Sequence, residues 1–100
     1  MFQFVRKVTP KNGAAVPGAL AFAAEVTGYL NKAYGIDIKF GIQLFGPPQL
    51  FWQFETDSID KMTMLNAKLM QDRAYLALLQ QAKDLWLDGS LEDAVVSFQS

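Results

Sequence analysis

Glu55 is the residue of this sequence best suited to chemistry, and it follows four aromatic residues in the segment FGPPQLFWQFET, residues 45–56. The chain contains no cysteine and no histidine. This excludes disulfides, thiolate zinc sites, cysteine nucleophiles, histidine bases and histidine-ligated haem. A carboxylate is the general base that remains, and Glu55 is the one beside aromatic side chains. Its alternative role is an ion pair with Lys39, Lys7 or Arg6.

The composition predicts one small globular domain. The 100 residues are 51% hydrophobic and 13% aromatic, which is enough to build a core. A domain of this size buries only about 60–65% of its unfolded surface, so an oligomer would stabilise it. No metal is expected, because the sequence has no clustered acidic loop.

The charge pattern argues against nucleic acid as a partner. The net charge is -1 and the charged residues are scattered along the chain, whereas nucleic-acid binding requires a basic stripe. Arg6, Lys7 and Lys11 are the nearest approach to one, and three charges there fit the solvated end of a strand. The lack of cysteine fits a reducing compartment, so we expect a cytoplasmic protein.

One apolar run resembles a targeting signal. Residues 14–24, AAVPGALAFAA, follow three basic residues and end in a small-residue motif of the kind that signal peptidases cleave. However, Pro17 and Gly18 interrupt the run, and the helical pattern continues to Tyr34. The run is also too short to span a membrane. We therefore interpret it as part of a helix and expect no membrane association.

Alternating apolar residues predict four strands. The predicted strands are residues 2–9, 36–45, 50–55 and 92–100. PKNG, residues 10–13, forms a turn after the first strand, and the Gly-Pro-Pro at residues 46–48 separates the second from the third, since prolines cannot donate to a ladder.

Helical spacing predicts three helices. The first runs from about Ala15 to Tyr34, with Pro17 tolerated in its first turn and Gly35 as its C-terminal cap. Capping oxygens at residues 56–58 precede the second. The apolar positions of the second and third are Ile59, Met62, Leu65 and Leu69, then Tyr75, Leu78, Leu79, Ala82, Leu85 and Trp86.

The third helix begins at a cap of its own. Asp72 is an N-cap residue at its start, and Gly89 stops it. The resulting order, β-α-β-β-α-α-β, is the ferredoxin-like α+β arrangement with its second helix broken in two. The sequence contains no repeat and no linker, so the prediction is one domain over residues 1–100.

The segments in this order resemble a known superfamily. They are FVRKVTPKNG leading into a helix that ends YLNKAYG, the hairpin FGPPQLFWQFET, and LMQDRAYLALLQQAKDLWLDGSLED. The chain is similar to the small dimeric α+β-barrel proteins, which include antibiotic-biosynthesis-type monooxygenases and NIPSNAP-like proteins. The resemblance implies a four-stranded antiparallel sheet and a homodimer in which two sheets pack face to face. It lies in element order and spacing, so it predicts the fold better than an activity.

The hairpin register decides where the aromatic residues point. With an odd number of unpaired loop residues, Leu44 faces Trp52, Ile42 faces Phe54, and Phe40 faces Thr56, because antiparallel partners share a face. An even number would bury the carboxylate of Glu55, at a cost of several kcal/mol. We therefore predict that Trp52 and Phe54 face the helices, and that Phe40 and Trp52 are fully buried.

The opposite, helix-free face of the sheet is then a candidate binding surface. Its predicted ligand-contacting residues are Gly41, Gln43, Phe45, Phe51 and Gln53, with Glu55 as the catalytic base or hydrogen-bond acceptor. Gly41, placed across from Glu55, would leave room beside its carboxylate. The alternative is that this half-polar face serves only as the dimer interface.

Two classes of function are favoured, and neither needs a cofactor; a third, a structural subunit of a larger assembly, is favoured only if the exposed strand edges also pair. The first is a homodimeric protein that binds a small apolar or aromatic molecule or acts through its dimer. The second is a cofactor-free monooxygenase or isomerase that acts on an aromatic metabolite. The family's metal- and flavin-free monooxygenases use polar side chains and a tryptophan to orient the substrate, and haem-degrading relatives use a histidine that this chain lacks. No position matches a catalytic motif, so whether the protein is an enzyme stays open.

Overall fold

The computed structural model describes residues 1–99, which form one antiparallel sheet and three α-helices. The strands are β1 (Phe2–Val8), β2 (Lys39–Ile42), β3 (Leu50–Thr56) and β4 (Glu92–Ser97), and the helices are α1 (Val16–Tyr34), α2 (Ile59–Leu69) and α3 (Arg73–Gln81). The strand order in the sheet is β2-β3-β1-β4. Antiparallel strands in this order with helices between them confirm the ferredoxin-like α+β prediction.

Helix α1 begins and ends where the sequence predicts. Pro17 lies in its first turn, and Gly35 ends it with φ of 62°, a left-handed conformation that glycine adopts without strain. The Gly35 amide donates to the carbonyl of Asn31 at 3.1 Å. The sequence therefore specifies this helix almost to the residue.

The second strand is shorter than the predicted residues 36–45. The Asn31 side chain accepts from the amide of Ile38 at 2.7 Å and donates to its carbonyl at 3.1 Å. Ile38 is buried, but its backbone bonds to a helix side chain instead of a neighbouring strand. Alternation alone could not reveal this, because the competing partner lies seven residues earlier in α1.

The predicted hairpin register is wrong by four residues, although its parity is right. Phe40 pairs with Trp52, not Thr56, and Ile42 pairs with Leu50, not Phe54. The cause is a longer loop. The Gln43 amide donates to the carbonyl of Gln49 at 2.9 Å, and its side-chain amide donates to that of Pro47 at 2.9 Å.

The parity of the pairing keeps Trp52 on the helix side of the sheet, as predicted. Leu44 and Phe45, predicted to lie in the second strand, are instead part of the loop. Their side chains are 84% and 89% exposed.

Helix α3 ends at Gln81, before the predicted end near Gly89. After a turn, the chain passes beside the residues that follow β1, where the Lys11 amide donates to the carbonyl of Leu85 at 2.7 Å and the Leu87 amide donates to that of Thr9 at 2.9 Å. These long-range bonds replace the final helical turns. Strand β4 follows within the predicted segment 92–100, of which Ser100 lies outside the described residues.

The core lies between α1 and the β1–β3 part of the sheet. Ala19 and Ala23 are completely buried, and their small side chains let the helix approach the sheet closely. Trp52 is 7% exposed, and its indole Nε1 donates to the Thr27 hydroxyl at 3.1 Å. Phe40, predicted to be fully buried, is 38% exposed, because it lies on the short edge strand.

Replacing the core tryptophan should be much more destabilising than replacing Phe40. Trp52→Ala removes a buried ring and leaves the Thr27 hydroxyl unpaired, so we expect a loss of about 3–5 kcal/mol in the free energy of unfolding. Phe40→Ala should lose clearly less, and Leu44→Ala should stay within about 0.5 kcal/mol. Urea titration measures all three. Equal losses for Trp52→Ala and Phe40→Ala would contradict this packing.

Candidate functional site

A cavity of about 730 Å³ lies between the sheet and its helices. Its walls are mostly apolar and come from all three α-helices and from β1, β3 and β4. The wall residues include Phe4, Arg6, Phe22, Trp52, Phe54, Ile59, Thr63, Lys83, Trp86, Asp88, Leu91, Asp93 and Val95. Such a cavity is large enough for a small organic molecule.

The cavity exists because the helices cover the sheet unevenly. Helix α1 packs on β1 and β3 through alanines, whereas every residue of β4 is exposed. Three apolar wall residues are therefore only half covered: Ile59 is 47% exposed, Leu91 56% and Val95 47%. The exposed side chains show that this half of the layer is open.

Aromatic rings form the inner wall. The Phe22 ring meets the Trp86 ring edge-on at 5.6 Å between centroids, and it meets the Trp52 ring edge-on at 6.3 Å. On the sheet, the Phe4 and Phe54 rings lie 5.7 Å apart. Edge-on and tilted contacts are favourable for aromatic pairs, so these rings hold one another in place around the cavity.

One ion pair stands on the sheet wall of the cavity. Arg6 and Asp93 are cross-strand partners in β1 and β4. The Arg6 Nε donates to one oxygen of Asp93 at 2.7 Å, and Nη2 donates to the other at 2.9 Å. These hydrogen bonds raise the pKa of Arg6 further than burial lowers it. The guanidinium carbon also lies 5.7 Å from the centre of the Phe4 ring, within cation–π range.

The six residues predicted to form a site lie on β2, on β3 and in the loop between them. Gln53 and Glu55 line a second, polar depression of about 600 Å³, together with Lys39. Gly41 lies opposite Phe51, not Glu55, because of the register error.

The space over Gly41 is occupied by the Phe51 side chain. The Phe51 ring comes to 3.1 Å from the position that a Cβ of residue 41 would occupy. Gln43 and Phe45 lie in the loop beyond the strands. The expected room beside the Glu55 carboxylate is therefore not created by this glycine.

Sequence reasoning missed the residues of the larger cavity. The sequence alone does not show which face of the sheet Arg6 occupies, although Arg6 alternates with Phe4 and Val8, which both face the helices. Once β1 pairs with β4, Asp93 must share the face of Arg6, because directly opposite residues do so. An oppositely charged pair at these positions was the available signal.

Two other kinds of site find no support in residues 1–99. No group of three or more acidic side chains is placed to hold a metal ion. No helix of this part of the chain has the length and apolar character that crossing a membrane requires.

Solved structures with the same fold come from proteins of little sequence similarity. A NIPSNAP family protein with unknown function from Agrobacterium tumefaciens is 23% identical over 96% of this chain and 86% of its own, with a TM-score of 0.81. An uncharacterized NIPSNAP domain protein from Burkholderia xenovorans is 13% identical, with 100% and 96% of the two chains covered and a TM-score of 0.79. A candidate antibiotic biosynthesis monooxygenase from Deinococcus radiodurans is 11% identical, with 100% and 94% covered and a TM-score of 0.74.

The chain has the ferredoxin-like fold of these proteins. The expected structural resemblance is therefore confirmed, and at these identities it concerns the fold alone. No protein-family model matches the chain, and no curated protein matches its sequence. A ferredoxin-like sheet with helices on one face leaves two places for a site, the cavity under the helices and the uncovered face.

The carboxylate of Asp72 and two tyrosine hydroxyls form a cluster, the Asp72 cluster, that links helices α1 and α3 at the border of the cavity. Asp72 caps α3 by accepting from the Tyr75 amide at 3.0 Å, and it also accepts from the hydroxyls of Tyr29 at 2.6 Å and Tyr34 at 2.5 Å. The tyrosine hydroxyls lower the pKa of Asp72 to about 2, and the same bonds raise the pKa of Tyr34 to about 12. The ionised carboxylate thus ties the end of α1 to the start of α3.

Stability should depend on the ionisation of Asp72. Its folded pKa of about 2 lies below the ordinary value of 3.8. Its stabilising effect is therefore fully present above about pH 4 and is lost as the pH falls towards 2. Asp72→Asn should lower the melting temperature at pH 7, and the difference from the native protein should shrink between pH 4 and 2.

Removing the two tyrosine hydroxyls, which donate to Asp72, tests the same cluster. For the double variant Tyr29→Phe/Tyr34→Phe, the difference in melting temperature from the native protein should likewise shrink between pH 4 and 2. A melting-temperature difference that stays constant from pH 7 to pH 2 for Asp72→Asn would contradict the account.

Proposed function

We propose that the protein is a homodimer that binds a small apolar or aromatic molecule in the cavity between the sheet and the helices. The observation that carries this proposal is the cavity itself, which combines aromatic walls with a single cross-strand ion pair. Apolar walls with a few placed polar groups are the usual make-up of a small-molecule site. The proposal moves the ligand from the helix-free face, where the sequence placed it, to the opposite face.

The accessible surface area of the chain is larger than that of a typical monomer of its mass, which supports the binding of other molecules. A compact monomer of this mass exposes roughly 5,700 Å², whereas this chain exposes 6645 Å². The excess is compatible with an open ligand cavity and with an uncovered interface.

The helix-free face is the proposed dimer interface. Its side chains include Val5, Phe51, Ala94 and Val96, which the strand pairings place on the side away from the core. No helix of residues 1–99 covers them, and Val96 is 42% exposed. Apolar side chains on an uncovered face often mark a contact, and the predicted pairing of two sheets would bury them.

A cofactor-free monooxygenase or isomerase is the second candidate. It is supported by the likeness to the candidate monooxygenase from Deinococcus radiodurans and by the polar depression that Glu55 lines with Gln53 and Lys39. Glu55 in the polar depression remains the proposed base for this alternative. Oxygen uptake or isomer formation with an aromatic substrate, lost in Glu55→Gln, would favour it over simple binding.

Ligand binding can be tested with a hydrocarbon probe. Thr63 lies on the cavity wall, so Thr63→Phe should fill part of the cavity and weaken binding of 2-ethylnaphthalene at least tenfold. Met64→Phe is the matched control, because Met64 is the next residue of α2, is 60% exposed and does not line the cavity. The indole N–H resonances of Trp52 and Trp86, the chain's two tryptophans, report occupancy by NMR. Failure of 2-ethylnaphthalene to shift either signal would contradict the proposal.

The dimer can be tested by light scattering at micromolar concentration. We expect twice the mass of 11.2 kDa, with more than roughly 1,000 Å² buried between the chains. Phe51→Glu places a charge on the proposed interface and should give monomers. Phe45→Glu, in the exposed loop, is the control and should remain dimeric. A monomeric mass for the native protein would refute this part of the proposal.

A further inference from the structure

The Arg6–Asp93 pair leaves part of the guanidinium unused. An arginine side chain has five N–H donors, and Asp93 accepts one bond from Nε and one from Nη2. Within residues 1–99, Nη1 makes no hydrogen bond of good geometry, although the Tyr75 hydroxyl lies close enough to the guanidinium to help raise the pKa of Arg6. No fully buried side-chain nitrogen or oxygen of these residues lacks a partner. Nη1 is therefore accessible, and Arg6 lines the cavity. Nη1 is thus an available donor in a mostly apolar wall, whose other polar side chains besides Asp93 are Thr63, Asn66, Tyr75, Lys83 and Asp88.

The charges around the cavity balance one another. Arg6 is matched by Asp93, and the two remaining charged wall residues are Lys83 and Asp88, one of each sign. An anion that approached the guanidinium would meet the Asp93 carboxylate held against it at 2.7 Å. A cation would meet the guanidinium. Because an ion leaves water at high cost unless it gains a partner, neither is favoured here.

We propose that the Arg6–Asp93 pair makes this cavity selective for neutral aromatic molecules that carry a carbonyl oxygen, which accepts a hydrogen bond from Arg6 Nη1. This inference rests on the proposed ligand-binding function and specifies the class of ligand. Arg6 is the residue that contacts the ligand. Asp93 is a positioning residue, because it holds the planar guanidinium by two bonds and cancels its charge.

Three compounds that share a naphthalene ring distinguish binding of a neutral carbonyl, of a hydrocarbon and of an anion. They are 2-acetylnaphthalene, a neutral ketone; 2-ethylnaphthalene, which has no acceptor; and 2-naphthoate, an anion. Affinities are measured by NMR titration of the two indole N–H resonances. For the native protein we expect the ketone to bind more tightly than the carboxylate.

Two variants test the roles of the pair. In Arg6→Met/Asp93→Val, the ratio of ketone affinity to hydrocarbon affinity should fall about tenfold, the usual effect of losing one hydrogen bond to a charged group, while the hydrocarbon still binds. In Asp93→Asn, the guanidinium loses its counter-charge, so the affinity for 2-naphthoate should rise about tenfold relative to the ketone. A merely structural role for Asp93 would not invert this preference.

A variant of the other ion pair serves as the control. Asp57→Asn breaks the other ion pair of the described residues, Asp57–Lys61, which lies outside the cavity, and should change none of the affinity ratios. If the hydrocarbon binds but the ratios in both pair variants equal those of the native protein, the selectivity inference is overturned and the proposed function stands. If none of the three compounds binds the native protein, the proposed function fails and the inference fails with it.

Discussion

The antiparallel pairing of β1 with both β3 and β4 is the constraint on which the rest of the structure depends. Because β1 is central, its alternation assigns two faces to all three strands at once. One face receives Phe4, Arg6 and Val8, and the other receives Val5. The helices then cover the first face, so the same alternation creates the core, the cavity wall and the uncovered face.

The helices divide the covered face into a packed part and an open part. Where α1 carries Ala19 and Ala23, it lies close to the sheet, and the Trp52–Thr27 hydrogen bond closes the interior. The Asp72 cluster ties the end of α1 to the start of α3, and the bonds beyond the end of β1 hold the segment that follows α3. These contacts position the helices and the segment after α3 without filling the cavity between the helices and the sheet.

The sequence predicted the elements well because their signals are local. Gly35 and Asp72 mark helix ends by their own backbone and side-chain chemistry, and both lie where they were expected. The register of the hairpin failed because it depends on Gln43, whose bonds to Pro47 and Gln49 lengthen the loop. The parity argument survived this error, because burying a charge on the helix face would be costly for any register.

The candidate site was harder to predict than the fold, since it depends on what packs over each face. The aromatic run around Trp52 attracted attention to the hairpin, yet the polar pair of the cavity joins strands near opposite ends of the chain, at Arg6 and Asp93. Only the β1–β4 pairing brings these residues together. The direction of β1 was the missing step, and it moves the proposed ligand from the helix-free face to the helix-covered one.

A crystal structure of the protein grown with 2-ethylnaphthalene tests the central claim most directly. The account predicts ligand density in the cavity, in contact with the rings of Phe22 and Trp86 and close to the Arg6–Asp93 pair. Density on the helix-free face beside Phe51, or a cavity filled by the protein's own side chains, would contradict it.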